Sequence, residues 1–306
     1  MKHEVDNIPA SILARLRNKA DEGGWSFNEI LQYYGMERFL SRLSKTPHVN
    51  DLILKGGLMF YGLEIPLRRT TRDIDFLGTA ENTRDYIHSV FLDALSIQIP
   101  ADGIAFDINT LRLSQTQAES NQSGIRATFI GYVGNTRIPV QVDVGFTDEI
   151  SSEPLILEYP VLLTGMEKPN IKGYPPESII SEKFYAMLRF ADANSRWKDY
   201  YDIYLLATTF EFDSKSLAAA FRSTFENRPL RPTEHIPPGL KDDFALSNQQ
   251  KWENFLSKLK LHNESLRDLR WIVKQIWRFL ECPLNELRTG QEEQKQWTFK
   301  NGWQKK

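Results

Sequence analysis

Between residues 105 and 146 apolar and polar residues alternate in three successive runs, 105–113, 126–133 and 136–146, and this period of two commits the stretch to β-strands. Gly134-Asn135, between the last two runs, supplies a hairpin turn. Helical spacing holds on either side: residues 9–44, broken at Gly23-Gly24; 84–95; and, after Pro175-Pro176, residues 177–190 and 197–208. Strands gathered in the first half and helices in the second give an α+β pattern rather than alternating βαβα units. The expected division is a mixed half, 1–170, and a helical half, 171–306. Four prolines between Arg228 and Gly239 mark a loop, and a helical tail is expected from Asn248 to the end.

Composition narrows the setting. A single cysteine, Cys282, excludes an intrachain disulfide, and the five histidines show no zinc-site spacing. No run approaches the roughly 18 apolar residues of a membrane span, and residues 1–18 lack the pattern of a signal peptide. A cytoplasmic protein without membrane contact is expected. With 38 Lys and Arg against 40 Asp and Glu, the net charge of −2 gives no global field for nucleic acid, so any basic surface is local.

The chemistry concentrates between Lys55 and Leu77. The run 52–54 ends at Gly56-Gly57, a helical stretch follows, and Arg68, Arg69 and Arg72 lead into Asp73-Ile74-Asp75. On a strand, Asp73 and Asp75 share one face while Ile74 and Phe76 turn to the core. Two carboxylates in one small volume repel unless one takes a proton or a divalent cation joins them, and hard oxygen ligands suit Mg²⁺ or Mn²⁺. Eighteen aspartates in 306 residues give about one Asp-x-Asp pair by chance, so the context carries the signal. On the strand near residue 140, Val140, Val142 and Val144 share one face, Gln141 and Asp143 the other. Asp143 either faces solvent or joins a metal site. The Gly-Gly turn before a helix suits phosphate, although neither a Walker loop nor Gly-x-Gly-x-x-Gly is present.

Gly56-Gly57 with its short helix, Thr71-x-Asp73-x-Asp75 on a strand, a later strand carboxylate, Glu182-Lys183-x-x-Ala186 and Lys198-Asp199-x-x-Asp202 together resemble the abortive-infection nucleotidyltransferase toxins of the AbiEii/AbiGii type, which belong to type IV toxin–antitoxin systems. The likeness spans roughly residues 7–210. It implies a polymerase-β-like core, a small mixed sheet flanked by helices, joined to a helical C-terminal region. It also implies transfer of a nucleoside monophosphate from an NTP, with release of pyrophosphate, to an acceptor hydroxyl; for some relatives that acceptor is the 3′ end of tRNA.

Roles follow from the resemblance residue by residue. Asp73 and Asp75, with Asp143 as third carboxylate, would hold the metal; Gly56, Gly57, Arg69, Thr71, Arg72 and Lys183 would bind the nucleotide. Of Asp199 and Asp202, three apart on one helix face, one would serve as base, with Asp199 favoured, while the other pairs with Lys198 or Arg196. Gly57 stands where many relatives carry serine, so one hydroxyl contact to phosphate is missing. The expected partner gene encodes a winged-helix antitoxin that need not bind the toxin. A small-molecule or protein hydroxyl is an alternative acceptor, and a non-enzymatic nucleic-acid-binding regulator an alternative class.

Residues 251–306 hold 12 Lys and Arg against 7 Asp and Glu, and five of the seven tryptophans. A helix through 266–280 would carry Arg267, Arg270, Lys274 and Arg278 as a basic stripe beside an apolar face. The stripe reads as a surface for RNA phosphates or as a solvated helix face with the tryptophans in the core.

Overall fold

The computed structural model describes residues 7–65, 71–117, 123–146, 150, 152–226, 228–232, 235–261 and 263–306. The chain forms two compact units, Met1–Asp148 with Pro154–Tyr174, and Glu149–Glu153 with Pro175–Lys306. Among the described residues, no helix is long and apolar enough to cross a membrane.

The first unit contains helices α1 (Ile8–Gly23), α2 (Phe27–Leu43), α3 (Gly56–Gly62) and α4 (Arg84–Ser96) and strands β1 (Leu52–Lys55), β2 (Ile74–Gly78), β3 (Ile104–Gln117), β4 (Ser123–Val133), β5 (Thr136–Gly145), β6 (Leu155–Glu158) and β7 (Asn170–Gly173). Local chemistry sets the helix ends. Asn7 caps α1, Gly24 closes it in the left-handed conformation, and Ser26 with Glu29 forms a capping box on α2.

The strands make one mixed sheet, ordered β3-β4-β5-β2-β1-β7-β6, with β2 parallel to β5, β1 parallel to β7, and the other neighbours antiparallel. One sheet face is buried under α2 and α4, where Phe39, Phe91, Phe106 and Phe129 pack ring on ring. Phe39 and Phe91 are fully buried, and truncating such a side chain to alanine costs about 3–5 kcal/mol. A bidentate Arg42–Asp102 pair is buried in the same unit. Strands β6 and β7, which the period-two analysis does not find, are four residues each and extend the sheet on the β1 side.

The second unit contains α5 (Pro176–Phe190), α6 (Trp197–Thr209), β8 (Phe212–Asp213), α7 (Ser214–Glu226), α8 (Asp242–Lys258), α9 (Leu269–Thr289), β9 (Lys295–Thr298) and β10 (Gly302–Lys305). The proline-rich loop falls between α7 and α8, as expected. The tail is not helical to its end: β9 and β10 form a hairpin that pairs with β8. Its driving force is burial of Trp297, which is wholly inaccessible, packs on Phe279 and Trp303, and donates its indole N–H to the Ala207 carbonyl.

Candidate active site

The carboxylates are assembled by strand register. In the β1–β2 pair Lys55 lies opposite Asp75, in β2–β5 Asp75 lies beside Asp143, and in β4–β5 Asp143 lies opposite Arg126. One row across four strands therefore reads Arg126, Asp143, Asp75, Lys55, with two anions bracketed by two cations. Asp73 adds a third carboxylate two residues before Asp75, while Ile74 and Phe76 between and after them are fully buried. This alternation is what the Asp-x-Asp spacing predicted.

Asp73, Asp75 and Asp143 are each half-buried and offer carboxylate oxygens within 4.8 Å of one another. At an effective dielectric near 20, each pair of full charges 4.8 Å apart repels by roughly 3 kcal/mol. Positive charge is thus in demand here, and part of it is built in. Arg126 donates from Nε to Asp143 Oδ1 at 2.7 Å and from Nη2 to Oδ2 at 2.8 Å, and Gln141 Nε2 reaches Oδ2 at 3.4 Å. The hydrogen bond to Asp143 raises the Arg126 pKa above its ordinary value against a smaller desolvation effect, and the charges of Asp143, Asp73 and Asp75 add to the rise. Lys55, at the other end, places its ammonium 5.6 Å from the centre of the Tyr174 ring.

The donor set fits a divalent cation. Three hard carboxylate ligands in one cluster are the chemistry that Mg²⁺ and Mn²⁺ favour over soft or nitrogen ligands. Asp143 remains eligible although Arg126 engages both its oxygens, because each carboxylate oxygen has a second lone pair.

Gly56 begins α3 at a positive φ of 68°, and a Cβ built there would lie 2.0 Å from Asp75 Oδ2. The Asp75 carboxylate therefore packs directly on the Gly56 backbone, so the turn and the carboxylate-bearing strand are one construction. Gly57 follows, half-buried, at the start of the helix. Thr71 is buried at 6% exposure and Arg72 is exposed, its carbonyl accepting a hydrogen bond from Gln32 Nε2 at 3.4 Å. Arg69 lies outside the described residues, as does Arg68.

In the second unit, α5 and α6 bring Lys183, Asp199 and Asp202 together. Lys183 Nζ lies 3.0 Å from Asp199 Oδ1 and 2.7 Å from Asp202 Oδ2, and Arg196 Nε donates to Asp199 Oδ2 at 2.8 Å. Both carboxylates are fully buried, whereas Lys183 is 14% exposed. Burial pushes the Asp199 carboxyl up, but the charges of Lys183 and Arg196 outweigh it and its pKa falls below the ordinary carboxylate value. The resemblance implies that Asp199 or Asp202 is the base, with Asp199 favoured, and that the other pairs with Lys198 or Arg196. The structure gives the Arg196 pairing to Asp199 itself.

The basic stripe is smaller than its spacing suggested. Asp268 caps α9, so Arg267 precedes the helix and only Arg270, Lys274 and Arg278 lie along it. All four are exposed. Lys274 pairs with Asp242 at 3.1 Å, and Arg278 sits 5.4 Å from the centre of the Trp297 ring. Trp252 and Trp297 belong to the core.

Sequence reasoning missed Lys55 and Arg126. Lys55 directly precedes Gly56. Arg126 was within reach of the hairpin: a two-residue turn at 134–135 pairs Val133 with Thr136, and counting back along both strands pairs Arg126 with Asp143.

Two solved structures are similar in chain course. One, a candidate nucleotidyltransferase from H. pylori, is 15% identical with a TM-score of 0.47, covering 86% of this chain and 97% of its own. The other, JHP933 from Helicobacter pylori, is 16% identical with a TM-score of 0.47, covering 84% and 95%. No curated protein sequence matches. Residues 38–279 match the family described as Nucleotidyl transferase AbiEii toxin, Type IV TA system, a span that holds the three carboxylates, the Gly-Gly turn and the Lys183 cluster. On that match the chain belongs to the AbiEii nucleotidyltransferase toxin family.

Proposed function

We propose that this nucleotidyltransferase transfers a nucleoside monophosphate from an NTP to an acceptor hydroxyl in a reaction that depends on a divalent cation, and that the acceptor is the 3′ end of an RNA of the tRNA class. The observation that carries the reading is the row Arg126–Asp143–Asp75–Lys55 with Asp73 beside it, seated against the Gly56 turn. Mg²⁺ or Mn²⁺ held by Asp73, Asp75 and Asp143 would supply Lewis-acid charge to the phosphates and to the attacking oxygen.

The protein's own groups orient the reactants. The turn at Gly56 and Gly57, with its backbone N–H groups at the start of α3, receives phosphate oxygens. Arg126 holds Asp143 through two hydrogen bonds, and Lys55 brings a second cation opposite Asp75 on the neighbouring strand. The acceptor oxygen bonds to the α-phosphorus, the bridging α–β P–O bond breaks, and pyrophosphate leaves with the electron pair while the hydroxyl proton passes to solvent. Lys183 is assigned a phosphate contact by its place in the family motif, and Arg69, Thr71 and Arg72 a part in nucleotide binding. Of the tail, Arg267 and Arg270 carry the RNA reading, since Lys274 and Arg278 have other partners.

As a type IV toxin, the protein implies an antitoxin. We place it in phage defence in the cytoplasm, with an antitoxin of the winged-helix regulator class that need not touch it. The test is incubation with Mg²⁺, each labelled NTP in turn and total tRNA, beside Asp75→Asn. Label on RNA from the wild type alone is the expected result. Label on protein or small molecules instead would replace the acceptor but keep the chemistry.

A further inference from the structure

The sheet face that carries the carboxylates continues into a cleft of about 710 Å³ in the first unit, within the roughly 300–1,000 Å³ range of small-ligand sites. Its lining adjoins the triad at two points. Gln141 is hydrogen-bonded to Asp143, and Arg72 is the residue before Asp73. Gln141 and Arg137 follow Asp143 outward on the same face of β5, as Thr128 follows Arg126 on β4. Gln32 of α2 ties the two sides together, donating to the carbonyls of Pro139 at 2.7 Å and Arg72 at 3.4 Å.

Two arginines open onto this cleft, Arg72 and Arg137, both exposed. Among the described residues neither is ion-paired, in contrast to Arg126. The one carboxylate in the lining, Glu29, accepts from the Ser26 backbone N–H and hydroxyl at 2.8 Å each, so its charge is directed into the capping box. The cleft therefore presents two guanidinium groups that, among the described residues, have no ion-pair partner, chemistry suited to a phosphodiester.

Direction decides which substrate. The Gly56 turn lies at the end of β1, on one side of β2; β5 and β4 lie on the other. If the triphosphate occupies the turn, the cleft is across the carboxylates from it, where the attacking hydroxyl must come from. Resting on the nucleotidyl-transfer reading above, we infer that this cleft is the acceptor subsite and that it takes the terminal nucleotides of a single-stranded RNA, with Arg137 on the phosphodiester and Arg72, beside Asp73, at its boundary with the nucleotide.

The variant is Arg137→Glu, with Arg137→Gln as a second variant that removes the charge without reversing it; the site is exposed, and circular dichroism checks the fold. Binding of a short fluorescein-labelled single-stranded oligoribonucleotide is measured by anisotropy across a salt series, and binding of ATP separately. For Arg137→Gln the salt slope should fall by about one, and for Arg137→Glu the RNA affinity should fall roughly tenfold at low salt. ATP affinity should be unchanged in both. RNA binding with wild-type affinity and slope in both variants would overturn the assignment, as would loss of ATP affinity with RNA binding kept. No RNA binding by a wild type that binds ATP would overturn RNA as the occupant. A wild type that neither binds ATP nor transfers label would instead sink the nucleotidyl-transfer reading on which the subsite rests.

Discussion

Replacing Gly56 by alanine places two separable penalties on one carbon. The first is conformational: Gly56 has a φ of 68°, and an L-residue held in that region costs about 1–2 kcal/mol. The second is steric and falls on the site. The new methyl carbon would stand 2.0 Å from Asp75 Oδ2, 2.7 Å from its Cγ and 2.9 Å from its Cβ, against 3.4–4 Å for ordinary contact, so the nearest oxygen must retreat by about 1.4 Å. Because all three Asp75 atoms crowd the methyl, side-chain rotation alone does not relieve the contact, and the carboxylate leaves its place beside Asp143. A displacement of about 1 Å at a reacting centre costs on the order of 100-fold in rate.

Gly24 is the internal control. It has nearly the same φ, 66°, and nothing lies within 4 Å of its would-be Cβ. Gly24→Ala should lose about 1–2 kcal/mol of stability in urea unfolding and Gly56→Ala at least that much, but only Gly56→Ala should lose roughly 100-fold in kcat/KM for pyrophosphate release. A folded Gly56→Ala enzyme within threefold of wild type would refute the claim that the turn positions Asp75.

Lys183→Met removes the ammonium that two buried carboxylates share, and it should destabilise the protein by about 3–5 kcal/mol; unfolding at the wild-type urea midpoint would show that the cluster does not hold α5 to α6. The same cluster sets an acid limit. Since the folded-state pKa of Asp199 is lowered from 3.8, its stabilisation is fully present above that value and is lost as the pH falls through the lower folded value. Acid unfolding should accordingly take up a proton at Asp199 below pH 3.8, and a carboxyl resonance for Asp199 that titrates above that value would contradict the assignment.

How much was legible in advance depended on the range of the interactions. Period two in β3 to β5 and helical spacing in α1, α2 and α4 to α6 are local signals, and the elements lie where the spacing puts them. Asp73 and Asp75 were readable because alternation on a single strand fixes their common face. Joining Asp143 to them required the parallel pairing of β2 with β5, which no local spacing encodes. Arg126 needed only the hairpin count. Strands β6 and β7 are too short to show a period, and the C-terminal hairpin is held by Trp297 against residues far away in sequence, so a tail rich in Trp and Lys read as helix. The partners of Lys183 were legible as types but not as a closed ion-pair cluster, because their convergence depends on the packing of α5 against α6.

The central claim is that the Asp73–Asp75–Asp143 cluster holds the cation that drives nucleotidyl transfer. The most direct measurement is the rate of label transfer from NTP as Mg²⁺ is titrated into metal-depleted protein, for the wild type and for Asp75→Asn, with calorimetric metal binding recorded on the same samples. The account predicts a saturating rise for the wild type that follows the binding isotherm, and loss of both signals in a folded Asp75→Asn. Transfer that is indifferent to chelation, or an Asp75→Asn protein with the wild-type metal dependence, would contradict it.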